Sequence, residues 1–249
     1  MDLNGLSKSR KYNSNNKIDK DYLDELYNKG VDLLNEEEYR KALGMFRKVL
    51  SLNPKDAEVW SYTGEILGRL GKHKESLDSL NKSLDIRPND VKAINNKGVA
   101  LSLLGKYEEA TDLFDKVLEY DQKDREALVN KSDAFLRLGK YKESLKLAEK
   151  ALKFNPSYST AWYNKGEALL KLENESKALA AFEKVLKFDP KDGDAWYMKA
   201  RCLSRINKKE EAMDALVVAT AIDPKNKKNL KKEPDFASIR ELKRFKKLK

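Results

Sequence analysis

The sequence predicts an all-α protein built from six consecutive helix pairs and closed by a helical cap, and three observations carry that prediction. Five of the six prolines, Pro54, Pro88, Pro156, Pro190 and Pro224, lie 34 or 68 residues apart, with Gln122 where the series skips one. The tryptophans Trp60, Trp162 and Trp196 and the glycines Gly30, Gly64, Gly98 and Gly166 keep to multiples of the same interval. Between these markers apolar residues recur at offsets of four and three, which places them on one face of an α-helix. The length of 249 residues points the same way, because a single continuous core of that size is near the upper limit.

Numbering a 34-residue unit from residue 23 gives six contiguous units without insertion: 23–56, 57–90, 91–124, 125–158, 159–192 and 193–226. Positions 4, 8 and 11 of each, as in Trp60, Gly64 and Leu67, form the inner face of a first helix. Positions 20, 24 and 27, as in Ala110, Phe114 and Val117, form that of a second. Gly71, Gly105 and Gly139 at position 15 allow the positive φ with which a chain leaves a helix. Proline at position 32 lacks the amide that a continuing helix needs, so the second helix stops there. Each helix of about 14 residues spans about 20 Å.

Position 8 admits only small residues, namely Gly30, Gly64, Gly98, Ser132, Gly166 and Ala200, although mid-helix glycine costs about 1 kcal/mol relative to alanine. Close approach of the second helix accounts for this, and Ala42, Ser76, Ala110, Ser144, Ala178 and Ala212 at position 20 repeat the signal on the partner.

Small residues at 8 and 20, a large or aromatic residue at 4 and 24, and proline at 32 resemble the tetratricopeptide repeat, whose period is the same. The resemblance runs without a break over residues 23–226. It implies a right-handed α-solenoid of six helix-turn-helix repeats and a function in binding proteins. The segment after it, NLKKEPDFASIRELKRFKKLK, is apolar at Leu230, Phe236, Ile239, Leu242, Phe245 and Leu248 and resembles the DF-containing C-terminal extensions of the family. A stacked array needs such a cap over its last apolar face, so residues 227–249 are expected to form a basic capping helix or tail. Residues 1–20 read as a polar, flexible tail.

A longer rhythm lies over the repeat. The tetrapeptides YNKG at 27–30, NNKG at 95–98 and YNKG at 163–166 recur every 68 residues, and the same units carry Phe46, Phe114 and Phe182 at position 24 where the others carry Leu80, Ala148 and Leu216. Duplication of a two-unit block, with bulky and small interiors that interdigitate, explains the pattern without a site.

Charge and composition exclude several function classes. Of the net charge of +10, residues 1–20 hold +3 (five basic, two acidic) and residues 225–249 hold +8 (eleven basic, three acidic), which leaves −1 for residues 21–224. Association with nucleic acid through the basic tails is therefore the alternative function to protein binding. The single Cys202 forms no intrachain disulfide and, with the single His73, makes neither a zinc site nor a nucleophile and base pair. His73 shares position 17 with Tyr39, Tyr107 and Tyr141, and Cys202 shares position 10 with Ala100, Ala134 and Ala168, so both are expected to be packing residues. No enzyme activity, cofactor or metal is expected. The longest apolar run, ALVVATAI at 215–222, is too short to span a bilayer, and the chain reads as cytoplasmic.

The resemblance implies that the first helices line a concave groove through positions 2, 5, 6, 9, 12 and 13. Position 6 holds Asn28, Asn96, Asn130 and Asn164, whose amides can each donate to and accept from the backbone of an extended peptide. Position 5 adds Tyr27, Asn95, Tyr163 and Tyr197, and Arg201 lies at position 9. Alternatively these are solvated polar positions copied by duplication. Repeats that clamp the C-terminal carboxylate of a chaperone need lysine and asparagine at 5 and 9 before asparagine at 6. Here Asn96 follows Ser61 and Glu65, Asn130 follows Asn95 and Val99, and Asn164 follows Val129 and Asp133, so no such chaperone partner is expected. The expected partner is a protein or extended peptide of mixed or moderately basic charge, with no membrane involved.

Overall fold

A computed structural model of the protein describes residues 20–228, 230 and 232–248; the tail expected over 1–20 lies, except for Lys20, outside the described residues. Every regular element among the described residues is helical. The chain divides into two compact units at Tyr120 and Asp121. Unit 1 contains α1 (Lys20–Asn35), α2 (Tyr39–Leu52), α3 (Ala57–Arg69), α4 (His73–Ile86), α5 (Val91–Leu103) and α6 (Tyr107–Tyr120). Unit 2 contains α7 (Arg125–Arg137), α8 (Tyr141–Phe154), α9 (Ser159–Lys171), α10 (Glu175–Phe188), α11 (Gly193–Arg205) and α12 (Lys209–Ile222), then the short 3-10 helices η1 (Pro224–Lys227) and η2 (Pro234–Phe236) and α13 (Lys243–Lys247).

Within each helix pair the turn is made by one left-handed residue at position 15. Gly71, Gly105 and Gly139 have φ of 75°, 80° and 73°, and the other three pairs place Glu37, Glu173 and Asn207 there with φ of 58°, 58° and 62°. The geometry is thus common to all six pairs, and three of them bear a side chain at a cost that glycine avoids. The next first helix starts with an Asx cap: Asp56, Asp90, Asp124 and Asp192 accept from the amides of Val59, Ala93, Ala127 and Ala195 at 2.8–3.1 Å. Tyr158 holds the same place before α9 and makes no side-chain cap.

Proline and tryptophan prove to be parts of one device. The indole Nε1 of Trp60, Trp162 and Trp196 donates to the carbonyl of Pro54, Pro156 and Pro190 at 2.8–2.9 Å. Each ring thereby ties the end of one pair to the first helix of the next, and its polar group is satisfied without leaving the packing layer.

The small residues at position 8 are explained by position 24. A Cβ added at Gly30 or Gly98 would lie 2.7 or 2.6 Å from the ring of Phe46 or Phe114, and one added at Gly64 would lie 2.5 Å from Leu80. Position 20 is fully closed, with Ala42, Ala110, Ala178 and Ala212 buried. Where serine replaces alanine its hydroxyl finds a partner: Ser76 Oγ donates to the carbonyl of Gly64 at 2.6 Å, and Ser144 Oγ lies 2.9 Å from Ser132 Oγ.

The C-terminal segment covers the last pair as expected, but not as one continuous helix. Pro234 removes an amide and holds Glu233 extended (ψ 114°), so the chain advances by 3-10 turns before the five-residue α13. Leu230, Phe236, Ile239 and Phe245 are nevertheless buried against Ala212, Met213 and Leu216 of α12 and Leu203 of α11. No described helix is long and apolar enough to cross a membrane.

Candidate protein-interaction face

In unit 1 the residues expected to bind lie on α1 and α5, with α3 between them in sequence. The Tyr27 ring packs edge-on to Phe46 and Tyr62, both at 6.2 Å, while Tyr62 stacks on Phe46 at 5.4 Å. Tyr27 Oη donates to Glu58 Oε1 at 2.8 Å, and burial together with that carboxylate raises the phenol pKa above its ordinary value. Lys92 completes the cluster. Its ammonium sits 4.3 Å from the centroid of the Tyr62 ring and 3.1 Å from Glu65 Oε2, and Arg69 binds the other oxygen of Glu65 at 3.3 Å.

Two clefts flank this cluster. One of about 230 Å³ is lined by Glu58, Ser61, Tyr62, Arg87, Asp90 and Lys92. The other, of about 280 Å³, shares Tyr62 and Lys92 and is also lined by Val31, Leu34 and Tyr39. Ser61 is 4% exposed and its hydroxyl has no partner among the described residues; Asn96 Nδ2 and Asn95 Oδ1 are likewise buried atoms without one. Asn28 is exposed on α1. A further cleft of about 410 Å³ opens between α4, α5 and α6 and involves none of the expected residues.

Unit 2 treats the same positions differently. Asn164, 5% exposed, donates through Nδ2 to the carbonyl of Val129 at 3.0 Å, so its amide serves the packing of α9 on α7. Tyr163 is edge-on to Phe182 at 5.5 Å, and burial raises its pKa. Tyr197 is covered by Phe236, the ring centroids being 5.4 Å apart at 89°. Arg201 is held by Asp235 at 2.7 Å and Glu233 at 3.7 Å, and Asp235 also faces Arg205 at 3.6 Å. Tyr197 and Arg201, both expected to face a ligand, are thus in contact with the C-terminal segment and remain half-buried. Asn130 is half-buried on α7.

The structure therefore places Tyr27, Asn95 and Asn96 in one unit with Tyr62 and Lys92, two residues that were not expected to bind. The signal for these two was readable: at position 6 Tyr62 breaks the asparagine series, and at position 2 Lys92 breaks an acidic one. Cys202 is fully buried, which pushes its thiol up to about 12, and His73 opens α4, with its Nδ1 buried and unpartnered among the described residues. No group of three or more potential ligands is placed to hold a metal ion among the described residues.

Comparison with known proteins agrees with this architecture. The family model for the N-terminal TPR repeats region of Psidin matches residues 29–157, just over half of the chain, and two further tetratricopeptide repeat models match residues 129–192 and 173–232. No curated protein sequence gave a significant match. Among solved structures, the Cut9–Hcn1 hetero-tetramer of the APC/C is similar over 90% of this chain and 42% of its own, with 16% identity and a TM-score of 0.74. PilW, a type IV pilus biogenesis factor, is similar over 87% of this chain and 97% of its own, with 17% identity and a TM-score of 0.73. YrrB, described as a TPR protein with an unusual peptide-binding site, covers 72% and 92% with 23% identity and a TM-score of 0.54. At these identities the likeness concerns the fold, which is the α-solenoid that the sequence predicts. The repeat pattern, the helix pairs and the match over more than half of the sequence together establish that this chain belongs to the tetratricopeptide repeat family.

Proposed function

We propose that the protein is a non-enzymatic interaction scaffold that holds an extended segment of a partner protein along the first-helix face of unit 1. In this reading the repeats run from 23–56 to 193–226 and residues 227–249 serve as their cap. The observation that carries the proposal is the cluster on that face: Tyr62, with Lys92 4.3 Å from its ring centroid, borders a cleft also lined by Glu58, Ser61, Arg87 and Asp90, and its ring offers a rigid contact. Half-buried Asn95 and Asn96 follow on α5, and a peptide backbone offers such amides a donor and an acceptor at each residue. The mixed lining of the adjoining cleft, with Glu58 and Asp90 against Arg87 and Lys92, favours a partner segment of mixed charge. YrrB, described as having a peptide-binding site on the same fold, supports the class of ligand by analogy.

Panning a random peptide library on the full chain tests the proposal. Asn96→Ala and Tyr62→Ala should each weaken the selected peptides by about tenfold, in line with loss of one well-placed interface contact, while Asn130→Ala leaves them within about twofold. Undiminished binding by both unit 1 variants, with helicity unchanged, would reject this face.

A further inference from the structure

The last turns of the second helices differ from repeat to repeat in a way that packing does not require. Position 26 is lysine in the first five units, whereas position 29 runs Ser51, Asp85, Glu119, Lys153, Lys187 and Ala221, and position 30 runs Leu52, Ile86, Tyr120, Phe154, Phe188 and Ile222. Only α8 and α10 thus end in two lysines and a phenylalanine, as KALKF at 150–154 and KVLKF at 184–188. Lysine in a last turn complements the helix dipole, but the first three repeats close without it at position 29, so the repeat itself does not demand it.

In unit 2 this motif forms a free surface. Phe154 and Phe188 remain 42% and 45% exposed, and Lys153, Lys184 and Lys187 are exposed beside them. The neighbouring carboxylates are already occupied, Glu149 by Lys165 at 2.9 Å and Glu183 by Lys199 at 3.0 Å. Among the described residues no carboxylate lies within salt-bridge distance of Lys150, Lys153, Lys184 or Lys187. The Lys123 ammonium lies 5.8 Å from the Phe154 ring centroid, and exposed Lys191 follows Phe188. Exposed lysines thus accompany an exposed phenylalanine at the end of α8 and again at the end of α10.

We propose that this lysine and phenylalanine edge of α8 and α10 binds single-stranded nucleic acid, with the ammonium groups on phosphates and the two rings stacking on bases. A polymer with one anion and one ring per residue matches an edge that repeats both groups. Stacking is tolerant of sequence, because every base has a π face. A bilayer is a poorer match: among the described residues of unit 2 the exposed large apolar side chains are only Phe154, Phe188 and Ile222. An acidic peptide would satisfy the lysines but does not call for exposed rings. The site is separate from the basic tails, which the sequence alone singled out for this chemistry.

Fluorescence anisotropy with a labelled oligouridylate of about 20 nucleotides, on the full chain and at salt between about 50 and 200 mM, tests the assignment. The expected result is salt-sensitive binding that Lys150→Ala/Lys153→Ala/Lys184→Ala/Lys187→Ala weakens at least about tenfold, with the salt slope reduced by roughly 2–3, since each phosphate contact on a single strand contributes about 0.7. Phe154→Ala/Phe188→Ala should weaken binding at least about thirtyfold with the slope unchanged, as stacking carries no counterion release. The proposal is overturned if the wild-type chain shows no salt-sensitive binding, or if both variants bind as it does. It is also overturned if Lys227→Ala/Lys228→Ala alone removes binding, or if the edge variants lose phosphatidylserine vesicles or polyglutamate while keeping the oligonucleotide.

Discussion

The two units are made of the same helix pairs and differ in what those pairs leave at the surface. Residues 21–224 sum to −1, but this near-neutrality is a cancellation: residues 121–224 carry 20 basic and 17 acidic side chains, which leaves 15 and 19 of the 35 and 36 for residues 21–120. The contrast continues at individual positions. In unit 1 the first-helix face keeps buried polar atoms at Ser61, Asn95 and Asn96 without a partner among the described residues, while in unit 2 Asn164 is spent on Val129 and Arg201 on Asp235. The second-helix ends show the reverse, Asp85 and Glu119 in unit 1 standing where unit 2 has Lys153 and Lys187. One scaffold, set by small residues at 8 and 20 and by the left-handed turn, tolerates opposite charges at the second-helix ends because position 29 stays exposed in every repeat.

The comparison can be broken or sharpened by substitution. Phe236→Ala should have the largest effect, about 3–5 kcal/mol by chemical denaturation, because it empties a fully buried site in the cap of unit 2. A loss below about 1 kcal/mol would mean that the cap is not part of the cooperative structure. In unit 1, Gly98→Ala places a Cβ 2.6 Å from Phe114 and should cost about 1–3 kcal/mol, whereas Gly44→Ala on α2, with nothing within 4 Å of its Cβ, should gain about 1 kcal/mol from helix propensity. The opposite signs separate glycine needed for packing from glycine that is merely tolerated. A smaller effect is expected at the turn of α9 and α10, where Glu173→Gly should stabilise by about 1 kcal/mol by relieving a left-handed side chain at φ 58°. Cys202, buried and with its thiol pushed up to about 12, should resist alkylation at about pH 8 in the native chain and react once the chain is unfolded. Rapid native labelling would show that α11 opens.

Much of this architecture is legible in the sequence, for a physical reason. Helix pairs, their turns and the contact of position 8 with the second helix follow from local periodicity and residue volume, so Gly30, Gly98 and Gly166 announced their partners. The site was less legible. Asn28, Asn96, Asn130 and Asn164 share one position and one residue type, yet their surroundings differ: Asn164 meets the Val129 carbonyl, while Asn96 Nδ2 meets no acceptor among the described residues. The Arg201 and Asp235 pair links residues 34 apart through a segment whose turns depend on Pro234, and no helical period reports it. The bond from Trp60 to Pro54 was written in the spacing of both residues but became visible only as geometry.

The division between the units is tested most directly by amide hydrogen exchange of the full chain with and without a saturating library-selected peptide. The account predicts new protection confined to α3 and α5, around Tyr62, Lys92 and Asn96, with α7, α9 and α11 unchanged. Protection centred on α9 and α11, with α3 and α5 exchanging as in the free chain, would contradict it.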